Sequence, residues 1–505
     1  MSRGPTDRLL IAPTAALLAL AICAVARCLA FLSGTRFSTS YLTYGWQLVP
    51  SDVLRDDPLG SVWHLGIQPP VFNLLVGSVL RWSPAPGGIS LQVVYLALAA
   101  GTIVLSHDIL VRVGARPLVA TAITVFIFCD PDWLRYELTP QYECLTAFLI
   151  VATVWSAARV IAGQSTLRWL TLASLGTCTV LTRSLLHPLW LAVLLVAVLW
   201  YARGSWRVRD LLIVLLVPTT LIGGWALKNE LMFDDASLSS FFGMNLQRAS
   251  IAPLTKDQLG HLLTTQQISP LASVKPFSSY ADYAPLLDAC TPTVRHAAAS
   301  VASRSNGVPN FNYQCYVPVY HRLGHDSWTA IRAYPGRYLY GRWWALRSSF
   351  GRGADPTLDR GFMHALDDVY RIPMLDINGR LPQRDWAIPL VNTPYIPTRT
   401  GYLLVACFLW QLYALGRYGW RVMQRRPPKE ALTQFVAAFT VTWVMLVGTL
   451  FEIGENPRFR ILVQPLLVGL PLVAAVRLAE SGLAAHRRRA AVRDPAAEGA
   501  PPLRA

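Results

Sequence analysis

The chain reads as an all-α polytopic membrane protein of about ten transmembrane helices with a mixed extracytoplasmic segment, and three observations lead there. Only 15% of its 505 residues are charged and the mean hydropathy is +0.37, whereas about a quarter of a soluble domain is charged. Seventeen Trp and nineteen Tyr suit a chain with many membrane–water interfaces, where amphipathic rings settle. Basic residues fall between apolar stretches or at the termini, so the net charge of +16 is a topological signal and not the footprint of a nucleic-acid partner.

The first apolar stretch, 9–31, follows Arg3 and Arg8 and lacks a small-x-small cleavage site. It is expected to be a retained anchor rather than a signal peptide. A spanning helix needs roughly 20 mostly apolar residues. The further candidates are 89–113, 117–129, 142–161, 169–186, 188–201, 211–227, 401–415, 431–451 and 461–478. The stretch 69–82 is too short and reads as an interfacial or re-entrant helix. With the N-terminus in the cytoplasm and strict alternation, every inner connection is basic: Arg112 and Arg116; Arg159 and Arg168; Arg203, Arg207 and Arg209; Arg417, Arg421, Arg425, Arg426 and Lys429. The tail adds Arg487, Arg488, Arg489 and Arg493. The positive-inside rule therefore puts both termini in the cytoplasm. Abundant Arg, Ala, Gly and Pro suggest a GC-rich bacterial source, and hence a multi-pass protein of the plasma (inner) membrane.

This topology gives a transmembrane module over 1–227 with acidic outer loops, an extracytoplasmic segment over 228–400, further spans over 401–479, and a tail over 480–505 that is polar enough to be disordered. The outer segment, about 170 residues, is long enough for a small domain. Its runs SSFFGMNL, YQCYVPVY and YPGRYLYGRWWALRSSF suit a membrane surface. Eight Cys occur without CxxC spacing, which argues against zinc or iron–sulfur sites. Outside the cytoplasm, Cys129 with Cys144 or Cys290 with Cys315 can be oxidised, unless they are simply small buried residues.

The stretch 51–73, SDVLRDDPLGSVWHLGIQPPVFN, concentrates polar groups between apolar segments, which is costly unless they face water or a site. Asp52 and Asp56 share a face if helical, and a held carboxylate can take a proton from an acceptor hydroxyl; a solvated, capping loop is the competing reading. Asp56 is preferred to Asp57, because Asp57-Pro58 resembles a cap. His64 and Gln68 are expected to line the same cavity. Asp130, Asp132 and Glu137 form a second acidic group, with Glu137 the alternative base; Asp130-Pro131 also fits an N-cap followed by N1 proline. In GENPRFR, Asn456 suits an N-cap and Pro457 N1. Arg458 and Arg460 then oppose the helix dipole unless a bound anion removes the conflict. Glu452 and Glu455 offer the structural alternative, an ion-pair cluster. Arg183 and His187, in TRSLLHPLW, stand at the same boundary, where an Arg alone often snorkels to headgroups. Lys228 adds one more cation. No GxGxxG, P-loop, HExxH or GxSxG occurs in a convincing context, so a soluble nucleotide-sugar site is not indicated.

These residues resemble the GT-C class of glycosyltransferases, in particular the dolichyl-phosphate-mannose-protein mannosyltransferase family and bacterial aminoarabinose transferases. An acidic first outer loop ends in QPPVFNLLVG, acids stand in the second outer loop, and GENPRFR precedes a late apolar helix. The resemblance implies a polyprenyl-phosphate-linked sugar donor, a glycan, lipid or protein acceptor of the cell envelope, and membrane lipids as surroundings. It implies Asp56, Asp52 or Glu137 in catalysis. His64, Gln68, Asp130, Arg183, His187, Lys228, Glu455, Arg458 and Arg460 would bind substrate, without a cofactor and with a divalent metal left open. One departure stands out. The family places an acid almost directly after the first span, where this chain has Phe37-Ser38-Thr39-Ser40-Tyr41. Two other functions remain in play. A flippase of lipid-linked saccharide predicts ionisable groups deep in several spans, and a non-catalytic envelope-assembly scaffold fits the missing acid.

Overall fold

The computed structural model describes residues 5–83, 88–203, 206–352, 361–378, 385–388, 399–424 and 428–493, with side chains between Pro13 and His486. Arg3, Arg425 and Arg426 lie outside the described residues, as do the side chains of Arg8, Arg487, Arg488, Arg489 and Arg493.

Each of the apolar stretches singled out as a span contains a helix, though 181–186 of the stretch 169–186 lie beyond it, in turns. Six of these helices are long and apolar enough to cross a bilayer: Pro13–Leu32, Ile89–Arg112, Tyr142–Ala162, Val208–Phe233, Lys429–Phe451 and Asn456–His486. Pro117–Phe128 and Pro131–Glu137, bent by 67°, make a seventh if taken together. The shortfall from ten has a physical cause. Thr166–Val180 and Pro188–Tyr201 have 15 and 14 residues, short of the bilayer core at 1.5 Å per residue. Tyr402–Val422 carries Arg417 and Arg421 in its last turns. The terminal helix runs Asn456–Arg493, past Glu480, where the tail was expected to begin; 494–505 lie outside the described residues.

Tyr142–Ala162 is the hub. Its membrane-length window is 83% buried, and it packs against Ile89–Arg112, Thr166–Val180, Lys429–Phe451 and Asn456–Arg493. Val208–Phe233 is the opposite case, 17% buried, with Leu212, Leu215, Leu216, Leu221 and Leu227 turned outward. On a membrane helix this is a lipid-facing surface rather than a defect.

The segment 228–400 is mostly helical where described, with helices Phe242–Ser250, Lys256–Thr264, Tyr316–Ala333, Pro335–Ser349 and Phe362–Met374. A small antiparallel sheet accompanies them, in the order β1 (Gly351–Arg352), β3 (Arg399–Gly401), β2 (Asp376–Asn378). Phe241, Phe311, Tyr316 and Tyr320 pack, mostly edge-on or tilted, in the core that the segment shares with the opening stretch. Of the two candidate disulfides, Cys290–Cys315 is formed. Cys129 and Cys144 are buried free thiols, with Cys129 lying against Cys23.

The opening stretch folds as short helices Ser51–Asp56 and Pro58–Trp63, then Pro70–Trp82. Asp57 caps the second by accepting from the Gly60 amide at 2.9 Å, the capping role its Asp-Pro context suggested. Asp130 likewise accepts from the Asp132 amide.

Candidate active site

The turn Glu452-Ile453-Gly454-Glu455, between the last two spans, organises the polar end of the bundle. Gly454 has φ 104°, a left-handed conformation that an L side chain resists. Asn456 does not cap its helix as the sequence suggested. Its Oδ1 accepts from the Gly454 amide at 3.0 Å and from Ser348 Oγ, while its Nδ2 reaches the Gly448 and Glu452 carbonyls. The side chain pins the turn to the helix before it.

Arg458 and Arg460 part company. Two residues along an α-helix turn the side chain by about 200°, so the pair was never placed to grip one phosphate. Arg458 is buried against Glu143 at 2.6 Å and Glu455 at 2.7 Å. Arg460 enters a separate network, bonding Asp132 at 2.9 Å, the Gly351 carbonyl and Gln464. Of the ion-pair alternative, only the Arg458–Glu455 pair forms; Glu452 pairs with Arg248 instead, and Arg460 with Asp132.

That second network is large. Arg352 stands 2.8 Å from Asp130, 3.5 Å from Asp132, 3.2 Å from Asp376 and 3.5 Å from Asp367. Gln464 donates to Asp130, Arg135 pairs with Asp132, and Arg399 pairs with Asp367. Asp130 is thus committed to holding the sheet and the Phe362–Met374 helix on the bundle.

On the Arg458 side opens a cavity of about 690 Å³. One part of its wall is hydrocarbon: Ile222, Gly223, Trp443, Val447 and Phe451 from the spans. The other part is polar, with Gln47, Gln68, Arg183, His187, Ser237, Asn245 and Glu452. Arg183 is buried, with its guanidinium 3.8 Å from the Tyr142 ring centroid. Its Nη1 has no hydrogen-bond partner, and no ion pair is made by Arg183 among the described residues. Burial, with Arg458 nearby, lowers its pKa to about 9, against the opposing pull of Glu455 and Glu452, so it stays a cation at neutral pH. Gln47 Oε1 and Ser237 Oγ are also buried without partners. His187 Nδ1 accepts from the Leu189 amide at 3.2 Å, and burial lowers its pKa. The neutral ring then carries its proton on Nε2, a donor.

Glu452 receives bonds on Oε1 from the Ile453 amide at 2.9 Å and from Arg248 at 3.2 Å. Burial raises its carboxyl above the ordinary range, outweighing Arg248. Glu455 goes the other way: burial pushes it up, but Arg458, Arg248 and Arg183 hold it below that range.

The remaining expected site residues lie apart. Asp52 is exposed, and the Asp56 and Asp57 side chains are 76% and 58% exposed; none lines the cavity. His64 stacks on His296 with centroids 4.6 Å apart, away from Gln68. Here the expectation of one shared cavity fails, because His64 ends the Pro58–Trp63 helix while Gln68 lies beyond the following turn. Lys228 is buried, donating to the Leu65 carbonyl at 2.5 Å and lying over Trp225. Glu137 is locked by Arg27 and Trp133. Glu143 and Arg248 were not anticipated. An acid in the first turn of an otherwise apolar span is a legible signal, which Glu143 gives; Arg248 gives none.

No family model matches the chain, and no curated protein does either. Among solved structures it is similar to the Archaeoglobus fulgidus oligosaccharyltransferase, crystallised with a tethered acceptor peptide. Identity is 11% and the TM-score 0.39, over 92% of this chain and 50% of that one. The chain thus spans about half the length of that protein.

Proposed function

We propose that the protein is an integral membrane glycosyltransferase that moves a sugar from a polyprenyl-phosphate donor to an acceptor hydroxyl at the Arg183 cavity. One observation carries this reading: a single cavity joins a hydrocarbon wall between spans to a buried cation that makes no ion pair among the described residues. A prenyl chain suits the first and a phosphate the second. The unpartnered Gln47 Oε1 and Ser237 Oγ, with Gln68, Asn245 and His187 Nε2, offer the neutral hydrogen bonds that a sugar takes. Glu452 is the base in this reading. Its carboxylate accepts the acceptor hydroxyl's proton as that oxygen bonds to the sugar's anomeric carbon. The bond from that carbon to the phosphate oxygen breaks, and polyprenyl phosphate leaves against Arg183. The polar end faces outside the cytoplasm in this proposal, supported by the basic connections at the other end and by the Cys290–Cys315 disulfide, which persists in oxidising compartments.

Equilibrium binding of a polyprenyl-phosphate sugar tests the donor site. Arg183→Gln is expected to weaken binding at least tenfold, because charge-assisted bonds contribute about 1.5–3 kcal/mol, while His64→Ala leaves it unchanged. Equal affinity in wild type and Arg183→Gln overturns the assignment.

A further inference from the structure

A second cavity, of about 450 Å³, lies between the Pro13–Leu32 and Ile89–Arg112 spans and shares no lining residue with the first. Its wall is largely hydrocarbon, from Ala30, Phe31, Leu32, Leu96 and Leu134, with Arg27, Glu137 and Gln92 as polar side chains on the same lining. The charged groups beside it satisfy one another. Arg27 Nε donates to Glu137 Oε2 at 2.7 Å, its Nη1 to the Cys23 carbonyl, and Trp133 Nε1 bonds the other carboxylate oxygen. The interior therefore suits a hydrocarbon chain and not a polar metabolite. Phe31, Leu32 and Leu96 are 49%, 77% and 41% exposed on helices that cross the membrane, so the cleft opens toward lipid. Arg36, between the lining residues Thr35 and Phe37, lies over the ring of Phe31, 3.9 Å from the centroid, with Nη1 on the Phe31 and Thr35 carbonyls. Among the described residues no carboxylate pairs with it.

We infer that this cleft binds one anionic phospholipid of the bilayer, an acyl chain between the two spans and the phosphate on Arg36. Charge complementarity selects the lipid: a cation at the interface attracts a net-negative headgroup, whereas a zwitterionic one brings its own ammonium. The position gives the lipid a role. Phe37 lines the cleft and the Ser38 amide donates to the Leu138 carbonyl at 2.8 Å. The same strand of chain continues to Tyr41, which is buried within the electrostatic reach of Arg458 and Arg183. The bound lipid braces the segment that leads from the first span to the active site.

Native mass spectrometry of the full-length protein in detergent tests this with three added lipids: phosphatidylglycerol, phosphatidylethanolamine and a polyprenyl monophosphate. Wild type is expected to retain one phosphatidylglycerol with about fivefold preference over phosphatidylethanolamine. Arg36→Gln, an exposed change that leaves the fold intact, removes the preference; Leu96→Trp, which fills the cleft, removes retention of both. No preference in wild type, or a preference that survives Arg36→Gln, overturns the proposal. So does an outcome in which the polyprenyl monophosphate, and not phosphatidylglycerol, is what both variants lose.

Discussion

Glu452 and Arg458 sit six residues apart, one opening the turn and the other in the first turn of the helix that follows, yet substitution should separate their roles. Glu452→Gln keeps the shape and removes the basicity, so turnover is expected to fall about 100-fold or more with donor affinity retained. Because burial raises the Glu452 carboxyl, wild-type turnover should climb with pH through a limb above the ordinary carboxylate range, as the ionised base accumulates. Glu452→Gln should lose that limb, and a profile unchanged by the substitution rejects Glu452 as the base. Arg458→Gln strands Glu143 and Glu455, whose only cation within ion-pair distance among the described residues is Arg458. Breaking a buried pair from one side costs about 3–5 kcal/mol, so its main effect should be a lower midpoint of thermal unfolding in detergent. Arg183→Gln breaks no ion pair and no hydrogen bond among the described residues and should lower that midpoint far less than Arg458→Gln does. The sequence did not separate these arginines. GENPRFR shows two cations in a first turn, but their partners are distant, Glu143 lying 315 and Asp132 lying 328 positions away. Nothing in the local pattern records such distances, whereas the 200° between alternate helix positions was there to be used.

At the scale of elements, hydropathy located every apolar helix because the bilayer imposes its length and composition on each one separately. The ends were less legible, since tertiary contacts set them: Asn456 spends its side chain on the Gly454 turn rather than on a cap. Asp57 and Asp130 were readable as caps because an Asp-Pro step is a local device. The aspartate and arginine network was not readable, because Arg352 comes from a strand of two residues that no periodicity reveals. Arg352→Met should therefore be far more damaging than its chain position suggests. It removes the cation that Asp130, Asp132, Asp367 and Asp376 share and leaves the buried side chains of Asp130 and Asp376 without an ion pair among the described residues, and a loss of about 3–5 kcal/mol in chemical unfolding is expected. Arg399→Gln, at the network's rim, breaks one pair with Asp367 and should cost less than Arg352→Met. Similar losses in the two variants contradict a network centred on Arg352.

For the whole molecule, the one-sided distribution of polar groups makes orientation testable. In a variant with Cys28 replaced by Ser, cysteines at the exposed positions Thr264 and Ser305 should react with an impermeant maleimide in intact cells. A cysteine at Gln164 should react only after permeabilisation; the reverse pattern inverts the topology. The central claim is glycosyl transfer at the Arg183 and Glu452 cavity. Its most direct measurement is single-turnover transfer by the purified, lipid-reconstituted protein, offered a panel of radiolabelled polyprenyl-phosphate sugars together with envelope membranes. Wild type should move label from one donor into acceptor and release polyprenyl phosphate in equal amount. Glu452→Gln should bind the same donor with transfer reduced about 100-fold. Donor bound at the cavity but recovered intact on the opposite side of the membrane, or transfer that is undiminished in Glu452→Gln, would contradict the account.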